Sequence, residues 1–247
     1  MTTLLTEDIG KMFEMAICLA YKTPFDGKYK YDMELPLKLQ PRLAKLLELF
    51  PECSHSAKSG ARYDFTSIDN TQHLSAKTIK KGSGKVAPQV IGQAQPQKFC
   101  NEIGIQFTTI PELKNHIQIN ITTILPHLIS YTFDCPNLYY HQEKDKIWFI
   151  QFTKAINWDN MKYEWTKVGN DWNNSSTLKI NTSRGFLSLV EFQFHSASRS
   201  NMAIRCFTIM FWISLETISL SLLFSFRQNK YSFMSLSSLY SNDLKRL

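Results

Sequence analysis

The spacing of apolar residues changes along this chain, first suggesting helices and then strands. In TEDIGKMFEMAICLAYKT, residues 6–23, Ile9, Met12, Phe13, Ala16, Ile17 and Ala20 fall on one helical stripe, behind Thr6 and two acids that suit a helix start. Glu14 flanks that stripe, about 100° from Phe13 and about 200° from Met12, an orientation open to solvent or to a cleft. A second helix is expected over QPRLAKLLELF, where Pro41 suits a first turn, Leu43, Leu46, Leu47 and Phe50 keep helical spacing, and Pro51 ends the run. After a polar link, ECSHSAKSGA, the period drops to two. RYDFTSI, HLSAKTI, KVAPQVIG, IQINITTI, NLYYHQ, KIWFIQFT, TLKI and SLVEFQFH then read as strands, with Asn, Asp, Gly and Pro at the joints. Helices followed by strands predict an α/β (α+β) fold, a mixed β-sheet flanked by helices.

The pattern breaks again at Cys206. CFTIMFWISLETISLSLLFSF, residues 206–226, carries a single charge, Glu216, and is long enough for a membrane span. A buried core element and a non-native tail from a shifted or truncated reading frame fit the same letters. Ser214, Glu216, Ser219, Ser221 and Ser225 interrupt the apolar surface and weigh against an anchor. The expected organisation is one domain over 1–205, with its core at about 6–100 and a sheet extension at about 101–205, and an apolar, Ser-rich tail over 206–247.

Charge and motifs narrow the chemistry. Lys and Arg number 28 against 21 Asp and Glu, giving +7 and a pI near 9.1, a bias toward polyanionic partners. The five cysteines form no CxxC pair, which argues against a disulfide framework or a zinc ribbon. The N-terminus lacks the basic region and cleavage site of a signal peptide, so an intracellular location, cytoplasm or nucleus, is expected. No HExxH, G-x-S-x-G or Gly-rich dinucleotide fingerprint is present, and GSGK lacks both the earlier Gly and the following Ser or Thr of a P-loop.

One hairpin stands out. With Asp69-Asn70 as the turn of ARYDFTSIDNTQHLSAKT, residues 61–78, Asp64 faces Ser75 and Arg62 faces Lys77, so that Asp64, Ser75 and Lys77 share an exposed sheet face. A carboxylate beside an ammonium suits phosphodiester hydrolysis, which needs hard oxygens for Mg²⁺ and a cation to orient water and offset phosphate charge. A cross-strand ion pair with no catalytic duty fits the same two residues. The loop that follows, KTIKKGSGKVAPQ, gathers Lys80, Lys81 and Lys85 around two glycines and can straddle a phosphate backbone or simply be a solvated turn. Further on, INWDNMKYEWTKVGNDWNNSSTLKI offers Trp for base stacking and Asn for adenine edges, although core and turn duty would use the same letters. EFQFHSASRSNMAIR sets Glu191, Gln193 and His195 on one strand face, with Arg199 beyond it.

Helix-borne Glu14, Asp64 on one strand and Ser75-Ala76-Lys77 on the next together resemble the core of the PD-(D/E)XK, or restriction-endonuclease-like, superfamily, over about residues 6–100. The resemblance implies a Mg²⁺-dependent DNA endonuclease. It assigns Asp64 and Glu14 as metal ligands, Lys77 as the water-positioning cation and Gln93 as a supporting polar group. It also implies double-stranded DNA as partner, contacted by Lys80, Lys81, Lys85 and Arg199, and a homodimer to cut both strands. Ser75 departs from the pattern, because it cannot supply the second carboxylate. Either Glu14 replaces that ligand or the site binds metal weakly, and a basic nucleic-acid-binding protein with a decayed nuclease site is the alternative.

Overall fold

The computed structural model describes residues 5–57, 61–79, 96–151, 158–159, 161–182, 185–194, 202–206 and 231–235. The chain divides into two compact units, one of Met1–Ser83, Cys135–Thr153 and Ser221–Leu236, the other of Gly84–Asp134, Lys154–Leu220 and Ser237–Leu247.

In the first unit, α1 (Thr6–Tyr21) opens where the Asp8 carboxylate accepts the Leu5 N–H at 2.6 Å, and closes at Lys22, whose φ of 55° turns the backbone left-handed. Ile9, Phe13, Ala16 and Ile17 are fully buried, as the stripe predicts. The second helix does not form as one piece. Helix α2 (Glu34–Leu39) gives way to a 3-10 turn (Gln40–Leu43), and α3 (Leu46–Leu49) adds one more turn. Pro41 has no N–H to donate back into α2, so the helix tightens where the sequence had suggested a start.

Strands β1 (Cys53–His55), β2 (Phe65–Ser67), β3 (His73–Ile79), β4 (Asn137–His141) and β5 (Lys146–Gln151) lie side by side in that order. The β3–β4 pair is parallel and the other pairs among these five are antiparallel, which makes the sheet mixed. Leu74 and Ala76 on β3, Leu138 and Tyr140 on β4 and Ile147 and Phe149 on β5 form one face, and α1 covers it through Ile9, Phe13 and Ile17. Burying side chains of this size is worth about 1.5–3 kcal/mol each, so this layer sets the height of α1 over the sheet. A Cβ placed on Gly10 would lie 3.6 Å from the Thr78 hydroxyl, so the helix rests directly on β3.

The second unit contains α4 (Pro96–Ile103), α5 (Ile110–Ile119) and α6 (Ile121–Thr132), none of which was expected. IQINITTI, read as a strand, spans the end of α5 and the start of α6. Its isoleucines alternate, but Leu113, Ile117, Ile121, Ile124, Leu125 and Leu128 also make a helical stripe, and all six are buried. Thr109 settles the choice locally. Its hydroxyl accepts the Glu112 N–H, and the Glu112 carboxylate accepts the Thr109 N–H, both at 3.3 Å, a capping box that starts α5.

Strands β6 (Tyr163–Trp165), β7 (Ser175–Thr182), β8 (Gly185–Phe194) and β9 (Met202–Cys206) form an antiparallel sheet in that order, with a bulge at Leu178/Lys179. Trp172 is 1% exposed, with the rings of Trp165, Phe192 and Phe194 between 5.5 and 6.1 Å away. Lys114 caps that cluster, donating to the Trp172 carbonyl at 2.6 Å with its ammonium 5.2 Å from the Phe194 ring. Trp158 is buried as well. Of the two duties open to these tryptophans, Trp158 and Trp172 serve the core and are not available to stack on bases. Glu191 and Gln193 do share one half-exposed face of β8, opposite Thr177 and Ser175.

A last strand, β10 (Tyr231–Ser235), pairs in parallel with β5 at the edge of the first sheet. The rest of the apolar run after Cys206, and the expected strand KVAPQVIG, lie outside the described residues. Among the described residues no helix is long and apolar enough to cross a membrane.

Candidate active site

The hairpin has the register expected from its sequence. Phe65 pairs with Leu74 and Thr66 with His73. The turn is wider than two residues: Ser67 and Gln72 close it, with the Gln72 carbonyl accepting the Ser67 N–H at 2.9 Å and Asn70 in left-handed conformation at φ 59°. Asp69 holds the loop by accepting the Thr71 N–H at 3.1 Å and the Ser67 hydroxyl at 2.5 Å.

At Asp64 the two strands part. The Asp64 N–H still reaches the Leu74 carbonyl at 3.2 Å, and the Asp64 carbonyl accepts the Ser56 N–H at 2.9 Å from the β1 side. The next donor on β3, Ala76 N–H, goes to the Asp64 carboxylate, at 2.7 Å from Oδ2. Lys77 Nζ donates to the same oxygen at 3.1 Å. Asp64 therefore replaces a rung of the ladder with its side chain, and its backbone is pinned on both sides while it does so. Oδ1 accepts nothing from the described residues. Within a strand the N–H and C=O of one residue turn to the same neighbour, so the Ala76 carbonyl also faces the gap where β2 departs.

The sequence placed Asp64 and Lys77 on an exposed face, and the structure corrects this. Their side chains are 18% and 29% exposed, and Ser75 is completely buried. A half-buried ion pair is screened less by salt and water than a surface one.

Glu14 lies on the α1-covered side. It is 6% exposed, and each of its oxygens is engaged: Oε2 accepts from His55 Nε2 at 3.0 Å and from Lys11 Nζ at 2.8 Å, and Oε1 from Lys11 at 3.2 Å. Burial pushes the pKa of Glu14 up, but the hydrogen bonds from His55 and Lys11 and the adjacent lysine charge outweigh it and hold the carboxyl below its usual range. His55, which donates to Glu14, pairs across the sheet with Phe65, the residue after Asp64. No hydrogen bond joins the carboxylates of Glu14 and Asp64.

Among the residues proposed from sequence, the structure thus joins Asp64 to Lys77 and gives Glu14 separate company, His55 and Lys11. Gln93, Lys80, Lys81, Lys85 and Arg199 lie outside the described residues. Two participants were missed. His55 sits in the segment read as a polar link, and Lys11 is one helical turn before Glu14; that spacing, i to i+3, was the available signal for the lysine.

The donors at this edge suit a hard cation in kind: one carboxylate oxygen of Asp64 that accepts nothing from the described residues, and the Ala76 carbonyl. Mg²⁺ commonly uses one or two carboxylates and completes its shell with water and phosphate oxygens, so a set this small is compatible with it. Among the described residues no three His, Cys, Asp or Glu are grouped closely enough to hold a metal by themselves.

An α/β unit in which an acid and a lysine meet where two strands diverge is the setting in which a comparison with known proteins becomes informative. Over 207 residues the chain is 43% identical to the type II restriction enzyme CviAII of Paramecium bursaria Chlorella virus 1, covering 83% of this chain and 59% of that protein's length. No protein-family model matches the chain, and no solved structure matches it.

Proposed function

We propose that this chain is a Mg²⁺-dependent DNA endonuclease of the type II restriction class, built on the PD-(D/E)XK arrangement. The observation that carries the reading is the Asp64–Lys77 pair at the strand divergence, in a chain 43% identical to a type II restriction enzyme. Asp64, with the Ala76 carbonyl and with Glu14 as the second acid, would hold the metal. When bound, Mg²⁺ would supply Lewis-acid assistance to the phosphate and to the attacking water. Lys77, tethered 3.1 Å from Asp64, orients that water and offsets the negative charge that develops on the phosphate. Attack on phosphorus then breaks one P–O ester bond and leaves a phosphate monoester and a hydroxyl. Double-stranded DNA is the substrate, with Lys80, Lys81, Lys85 and Arg199 as backbone contacts, and a homodimer presents one such site to each strand.

Supercoiled plasmid is the direct test. The protein should nick or linearise it with Mg²⁺ and not with chelator, and Asp64→Asn should lower the rate by at least about 10²-fold, the size of loss seen when one preorganised electrostatic group is removed. Cleavage that survives chelation, or an Asp64→Asn variant that cuts at the original rate, overturns the reading.

A further inference from the structure

We propose that His55 is a positioning residue for this site, holding the Glu14 carboxylate in place through a tautomer set by the backbone of Asp26. The inference rests on the nuclease reading above, and concerns how the second acid is presented.

The geometry is a short relay. The Asp26 N–H donates to His55 Nδ1 at 2.8 Å, so that nitrogen is an acceptor and carries no proton. The proton of the neutral ring is therefore on Nε2, which donates to Glu14 Oε2 at 3.0 Å. Phe25 stacks on the imidazole with centroids 4.3 Å apart, and Phe65 packs against it at 5.0 Å, so the ring cannot rotate away from either bond. The two donors to Glu14 differ in freedom. The Lys11 side chain is 34% exposed and can move to another anion, whereas that of His55 is 1% exposed. When Lys11 leaves, His55 still fixes one oxygen of Glu14 and keeps the other available. Partners that orient a ligand in this way commonly matter to metal affinity by about 10–100-fold.

The test is Mn²⁺ binding, followed by electron paramagnetic resonance on the full chain, with thermal unfolding to confirm the fold. His55→Leu should weaken Mn²⁺ binding about tenfold. His55→Gln, whose amide can still donate toward Glu14, should restore most of that affinity. His55→Asn, too short to reach Glu14, should not. With Glu14→Gln already in place, His55→Leu should add no further loss, because His55 acts through Glu14. Wild-type affinity in folded His55→Leu, alongside a loss in Asp64→Asn, overturns this inference and leaves the nuclease reading intact. If His55→Leu does not fold, equal affinity in the Asn and Gln variants overturns it instead. Should Asp64→Asn bind Mn²⁺ as the wild type does, the nuclease reading fails and this inference falls with it.

Discussion

Asp64 beside β2 and Glu14 on α1 are two carboxylates held in opposite ways. Asp64 sits where β2 leaves β3, keeps 18% of its side chain exposed, and commits only Oδ2 to its neighbours. Glu14, on α1, is buried with both oxygens engaged. The difference is one of readiness. Asp64 can accept a cation without giving anything up, whereas Glu14 must first release Lys11. In the proposed site the first ligand would be formed in advance and the second would be conditional, in a chain whose Ser75 lacks the usual second acid.

The largest effect that would sharpen the contrast is expected at Lys77. Its ammonium shares Oδ2 of Asp64 with the Ala76 N–H, so under the proposed function it would serve the reaction and, as a positive charge, oppose a divalent cation at the same carboxylate. Lys77→Met should lower cleavage by about 10²-fold or more while leaving Mg²⁺ affinity equal or higher, since a positive charge beside the ligand has been removed. Plasmid cleavage and metal titration on the same variant check this. A variant that cuts normally, or that loses metal and activity together, would show that Lys77 mainly supports Asp64.

How much of this was readable in the sequence depends on which contacts are local. The hairpin register followed from strand alternation around Asp69-Asn70, and the α1 stripe from its 3.6-residue period, because both signals lie within a few residues of each other. His55 was not readable. Its strand is only Cys53–His55, too short to show alternation, and its partners Glu14 and Asp26 are 41 and 29 residues away. The isoleucines of 117–124 misled in the opposite direction, since β-branched alternation there is overridden by a buried helical stripe and the Thr109 cap. Burial of Asp64 and Lys77 was also invisible, because it depends on tertiary neighbours that a two-strand pattern does not contain.

Ser75 offers the next test, of smaller expected effect. Ser75→Asp supplies the acid that the family pattern has at this position, yet the site is fully buried, so the new charge needs compensation. The variant should be less stable than wild type in chelator, by about 1–3 kcal/mol, the cost of a buried polar group left without partners. Mg²⁺ should recover much of that loss and bind more tightly than to wild type. Thermal unfolding with and without Mg²⁺ reads both. A stability loss that Mg²⁺ does not repair would mean that Ser75 points away from the metal and that Asp64 and Glu14 are the complete acid set.

The smallest effect separates the two carboxylates by pH. The pKa of Glu14 is lowered in the folded chain, so its ionised form is favoured by folding. Its contribution is complete above the unfolded carboxylate value of about 4.3 and is lost as pH falls through the lower folded value. Glu14→Gln, which cannot ionise but still accepts a hydrogen bond, should therefore be less stable than wild type near neutrality, by about 1–3 kcal/mol for bonds to a charged group. The gap should narrow only below about pH 4, because there the wild-type carboxyl gains the proton that the amide never needed. Denaturant titrations across that range measure it. A gap that stays constant to low pH would mean that His55 and Lys11 hold Glu14 by shape alone, and the contrast between a ready Asp64 and a charge-locked Glu14 would fail.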